Sequence, residues 1–236
     1  MLRSFARTGG LGDNIVEVYR NALGSLCEEQ SRARLDNRAP TATTGAERLA
    51  VASRIAACSV LGARPLVWTG PPPESDGTDL TTADICGAPG DDGPPALSVT
   101  PGLVIAALRT ALFCGRGPDR LGWVHRTYAE FLAALHLVEG RAGRAQIETL
   151  LVAEDDTVYP QLRPLAAWLA ANDPDTMGWL AVQDPLLFLT VPIGPPSQRL
   201  RAQIVDGLFA RAASSGIDQR FGQHGSHLAH DGLAPR

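Results

Sequence analysis

The feature that most restricts this chain is the run from Ala46 to Leu61, AERLAVASRIAACSVL, whose apolar residues fall on more than one face of a helix. A helix with a single apolar stripe can lie on a surface, whereas one that is apolar nearly all round has to be enclosed by other elements. The rest of the chain must therefore supply the wrapping, and Gly62 marks where the helix stops. Composition permits this: of 236 residues, 44% are hydrophobic and 19% charged, with few aromatics, a globular and helix-leaning balance. The length suits one large domain or two small ones, and the placing of glycine and proline favours two.

Upstream, Asp13 or Asn14 can cap a helix in which Ile15, Val18, Tyr19, Ala22, Leu23 and Leu26 recur at helical spacing. It fades into the arginine-rich stretch SRARLDNRAPTATTG, so residues 1–44 read as the end of a helical domain and a linker. Pro65 to Trp68 reads as a short strand. Residues 70–95 hold PPP, PP, an Asp-Asp pair and five glycines, and are expected to form an exposed loop without regular structure. Thr100 then reads as an N-cap and Pro101 as the first helical residue of GLVIAALRTAL. LFCGRGPDRLGWVH reads as two short strands around a Gly/Pro/Asp turn, ending at His125. Helix, helix and a two-stranded wing is the order of a winged-helix module, which these elements place at residues 45–126.

Thr127 and Glu130 have the spacing of a capping box, in which each side chain satisfies a backbone amide at the start of the next helix. That helix puts Tyr128, Phe131, Leu132, Leu135 and Val138 on one face. Further helical patterns lie around Ile147 to Val152, Leu162 to Leu169, Pro174 to Val182 and Leu200 to Phe209, with Asp173-Pro174 and Asp184-Pro185 as start signals. The expected fold class is mainly α, a winged-helix module followed by a HEAT-like superhelical segment at 127–221. Residues 222–236 lose periodicity and read as a disordered or truncated tail.

Several chemistries are disfavoured. All 21 basic residues are arginine, so a phosphate loop of the GxxxxGK[ST] type and Schiff-base catalysis both lack their amine. A net charge of −4 without a local basic run gives no electrostatic footprint for nucleic acid. Cys27, Cys58, Cys86 and Cys114 show no metal-ligand spacing and read as reduced, packed thiols. No serine or cysteine sits in a nucleophile motif, so no catalytic residue is assigned and the chain is not expected to be an enzyme. The acidic run LLVAEDD, Leu150 to Asp156, resembles the strand-then-acid pattern that holds magnesium in phosphoryl-transfer sites, but it continues a helical pattern from Ala145 and reads better as a solvated helix terminus. His224, His227 and His230 stand at successive i+3 spacing, yet glycines at 222, 225 and 232 oppose a helix there, so no metal site is assigned. No segment approaches the ~18 apolar residues of a membrane span, and a soluble cytoplasmic protein is expected.

His125 stands apart because it precedes a helix N-terminus, where backbone amides and the helix dipole favour an anion. Its residue-level reading is divided between a satisfied structural histidine and a phosphate contact. The surrounding stretch WVHRTYAEFLAALHLVEG resembles the signature at the end of the winged-helix domain of NACHT-type STAND NTPases, the class of animal NLR proteins and bacterial antiviral defence proteins. Trp123, His125, Arg126, Thr127, Tyr128, Glu130, Phe131, Leu132, Ala133 and Ala134 match its pattern. VYRNALGSLCEEQSRAR, AERLAVASRIAACSVLGARPLVWTG and LFCGRGPDRLGWVH are similar to further segments of such proteins.

The resemblance implies that His125 contacts the β-phosphate of ADP and helps lock a closed state, provided that a nucleotide-binding domain lies beside it. The P-loop, magnesium-binding acids and sensor arginine of the family have no counterpart in this sequence. ATP or ADP thus belongs to the complete assembly, with no cofactor in this chain. The implied partners are a nucleotide-binding domain of the same or a neighbouring polypeptide and a protein ligand on the helical repeats, with no nucleic acid and no membrane. The implied function is regulatory and non-catalytic, transmitting nucleotide state to a helical sensor in antiviral signalling. The abrupt ends favour a piece of a longer protein over a separate chain acting in trans. The alternative is a stand-alone α-helical scaffold for protein–protein interaction. A third reading, a winged-helix transcription factor, would need basic residues on the helix from Pro101 to Leu112, where only Arg109 stands. The purified chain should therefore pass through heparin and duplex-DNA columns unretained, and elution that moves with salt would restore that reading.

Overall fold

The computed structural model of the chain describes residues 15–28, 43–71, 77–87, 98–190 and 198–215. These form two compact units, one of residues 19–141 and the other of residues 15–18 and 142–215. The described residues are mainly helical, with one three-stranded antiparallel sheet. Among them no helix is long and apolar enough to cross a membrane.

The helix α1 (Ile15–Glu28), which belongs to the first unit from Tyr19 onward, is followed there by α2 (Gly45–Leu61). Thr44 starts α2: its hydroxyl accepts from the Glu47 amide at 3.1 Å, and the Glu47 carboxylate accepts from the Thr44 amide at 2.7 Å. This is a reciprocal cap. As its all-round apolar sequence demands, α2 buries Val51, Ala52, Ile55 and Ala56 completely. Arg48, also buried, is satisfied by backbone: its Nε donates to the Cys27 carbonyl at 2.7 Å and its Nη1 to the Thr43 carbonyl at 2.6 Å. A cation is thereby set against the C-terminal carbonyls of α1, where the helix dipole favours it. Gly62 closes α2, and the left-handed residue that follows is Ala63, with φ 52°.

The strand β1 (Leu66–Trp68) leads to residues 77–87, which correct the expectation of irregular structure across 70–95. Leu80 exchanges hydrogen bonds with β1, its amide donating to the Leu66 carbonyl at 2.9 Å and its carbonyl accepting from the Trp68 amide at 2.8 Å. The short helix α3 (Thr82–Ile85) follows, capped reciprocally by Thr81 and Asp84. Leu80 and Ile85 are fully buried. These two apolar anchors outweigh the helix and strand breakers on either side of them. Residues 72–76 and 88–97 lie outside the described residues.

The helix α4 (Pro101–Leu108) begins as its sequence predicts, with the Thr100 hydroxyl accepting from the Leu103 amide at 3.3 Å and proline at the first turn. The strands β2 (Phe113–Gly115) and β3 (Arg120–Trp123) form the expected hairpin, and β1 pairs with the other edge of β3, giving the order β1-β3-β2. Phe113 lies opposite Trp123 across the ladder, with ring centroids 4.3 Å apart. The unit closes with α5 (Arg126–Glu139), which packs against α2 and buries Tyr128 to Leu135 without a break. The first unit extends through this helix to Arg141.

The second unit contains α6 (Arg144–Leu151), a 3₁₀ turn at Pro160–Leu162, α7 (Arg163–Asn172), α8 (Trp179–Gln183), α9 (Leu187–Thr190) and α10 (Gln198–Ser215). The helices α8 and α10 meet at glycine. A Cβ on Gly207 would lie 2.8 Å from the Ala181 carbonyl oxygen and 2.9 Å from the Val182 Cα, and one on Gly178 would strike the Gln203 carboxamide. Gly207 carries the ordinary cost of glycine in a helix because nothing larger fits. A bulky side chain there should cost roughly 1–3 kcal/mol through overpacking. Gly207→Val should therefore lower the melting temperature, whereas Gly24→Ala, in open space on α1, should leave it unchanged or raise it.

The reciprocal cap expected at Thr127 and Glu130 is not formed. The helix begins at Arg126 with His125 as its N-cap, so Thr127 is the second helical residue and lies inside the first turn. The same spacing at Thr44 and Glu47 does make the cap. In urea denaturation Thr44→Ala should cost about 1 kcal/mol, the usual loss of an N-cap. Thr127→Ala should cost clearly less, and the reverse ranking would refute a helix start at Arg126.

Candidate functional site

The hairpin and α5 together fix the position of His125. Trp123 is anchored opposite Phe113, and the Val124 amide donates to the Leu112 carbonyl at 2.9 Å. Backbone pairing of the hairpin thus extends to Val124. His125 continues extended, with φ −134° and ψ 134°, and α5 starts at the next residue. The Tyr128 amide donates to the His125 carbonyl at 3.1 Å. No side-chain oxygen caps the N-terminus of α5.

The His125 imidazole is exposed, with its ring edge-on to Tyr128 at 5.0 Å. Beside it the Arg126 guanidinium donates through Nε to the Glu130 carboxylate at 2.8 Å. The two halves of this pair differ in setting, since the arginine side chain is 74% exposed and the glutamate 10%. Arg116, from the hairpin, donates to the Trp123 carbonyl at 2.8 Å. The start of α5 thus sets an exposed imidazole next to an arginine that is paired with a largely buried carboxylate. Amides at a helix N-terminus favour an anion in general.

Tyr19, on α1, lies tilted against Phe131 of α5 with ring centroids 5.4 Å apart. Burial, and then the neighbouring Tyr128 and Glu130, push its phenol pKa up, so the hydroxyl stays protonated at neutral pH. Burial likewise raises the Cys27 thiol to about 12, and raises that of Cys58. Both are packed thiols rather than thiolate nucleophiles. The acidic run ending at Asp156 turns on itself: Asp155 Oδ1 accepts from the Thr157 amide at 3.1 Å and from its hydroxyl at 2.7 Å. Among the described residues no group of three His, Cys, Asp or Glu side chains gathers as a metal site would require. His224, His227 and His230 lie outside the described residues.

Two polar features have little or no signal in the sequence. Arg48 gives none, because a single arginine in an apolar helix does not announce which carbonyls it will meet. Asp184 reads in the sequence only as a helix start, and its carbonyl does accept from the Leu187 amide at 3.2 Å. Its carboxylate is 1% exposed and lies 3.4 Å from Nε of the partly exposed Arg163, an ion pair within the second unit. Comparison with protein-family models, curated protein sequences and solved structures finds no match to this chain.

His136, on α5 downstream of His125, has its pKa pushed below the usual 6.5 by burial and then by the Arg54 guanidinium. The folded chain thus resists the proton that the unfolded chain accepts. The resulting stability is fully present above the unfolded value near 6.5 and is lost as pH falls through it towards the lower folded value. Melting temperature should fall on acidification below pH ~6.5, as that reference value dictates. His136→Gln should flatten this slope, and an unchanged profile would remove His136 as its cause.

Proposed function

We propose that the first unit holds a winged-helix module and the second a HEAT-like helical segment, together a non-catalytic transmission module of a NACHT-type STAND NTPase in antiviral signalling. What supports the first part is the element order α2-β1-α3-α4-β2-β3, with β3 hydrogen-bonded between β1 and β2. The resemblance of WVHRTYAEFLAALHLVEG then supplies the family.

His125 carries the functional claim. An exposed imidazole at a helix N-terminus with no side-chain cap suits the β-phosphate of an ADP held on an adjoining nucleotide-binding domain. The nucleotide has to be presented from outside, because the chain contains neither a lysine nor a Gly-rich phosphate loop. A phosphate drawn to His125 would bias the position of α5 and so convey nucleotide state to the helices that follow. The alternative, a stand-alone helical scaffold, draws support from Phe209, a phenylalanine 68% exposed on α10.

Calorimetric titration of the purified chain with ATP or ADP should show neither micromolar binding nor turnover, and either result would sink this reading. DNA upstream of Met1 encoding a Gly-rich loop ending Gly-Lys-Ser/Thr would favour it over the scaffold. With that domain supplied, ADP should strengthen association, and His125→Ala should weaken the ADP-dependent part roughly 10- to 100-fold, the equivalent of one charge-assisted hydrogen bond.

A further inference from the structure

We draw no further inference here: the strongest candidate, the outward apolar face of α4 on which Ile105 stands 45% exposed beside Pro101 and Gly102, is an unpartnered surface and nothing in the structure shows what covers it.

Discussion

Packing of α2 against α5 is the contact around which the first unit is assembled. Each helix buries more than one face, and each does so with a mixture of large and small side chains: Val51, Ala52, Ile55 and Ala56 on one, Phe131, Leu132, Ala133 and Ala134 on the other. Every large side chain so enclosed contributes roughly 1.5–3 kcal/mol, and the alanines allow the enclosing elements to come close. Neither helix could be stable with only the other for company. The sheet, α3 and α4 are then the cover that two such helices require, and this is why short elements with few residues of their own still bury Val67, Leu80, Ile85 and Val104. His136 owes its depressed pKa to the same enclosure, which leaves it in poor contact with water beside Arg54.

Elements whose determinants are local are legible in the sequence. Thr100-Pro101 specifies a helix start by itself, through one hydroxyl and one fixed φ, and the turn between β2 and β3 is written in its glycines and proline. Features that depend on distant residues are not. A Thr-x-x-Glu spacing becomes a cap only if the threonine is the last non-helical residue, and the start of α5 is set by Val124 pairing with Leu112 rather than by Thr127. Identical spacing at Thr44 is masked by a neighbourhood with the composition of a linker. Residues 77–87 are hidden among surrounding prolines and glycines, although Leu80 is held by Leu66 and Trp68. Likewise Gly178 and Gly207 carry no sequence mark distinguishing them from loop glycines, since the requirement comes from the partner helix.

The candidate site divides in the same way. His125 can be singled out from its neighbours in the chain, and it stands exposed at a helix start. Its chemical surroundings cannot. Glu130, expected to cap the helix, instead holds Arg126, so the charge beside His125 is an arginine whose counterion is turned inward.

Arg48 has a mechanical meaning as well as a thermodynamic one. Its guanidinium joins the end of α1 to the beginning of α2, donating to the carbonyls of both Cys27 and Thr43. A pull on α1 would thus load two hydrogen bonds from one guanidinium to backbone carbonyls. Arg48 therefore ties a displacement of α1 to the start of α2.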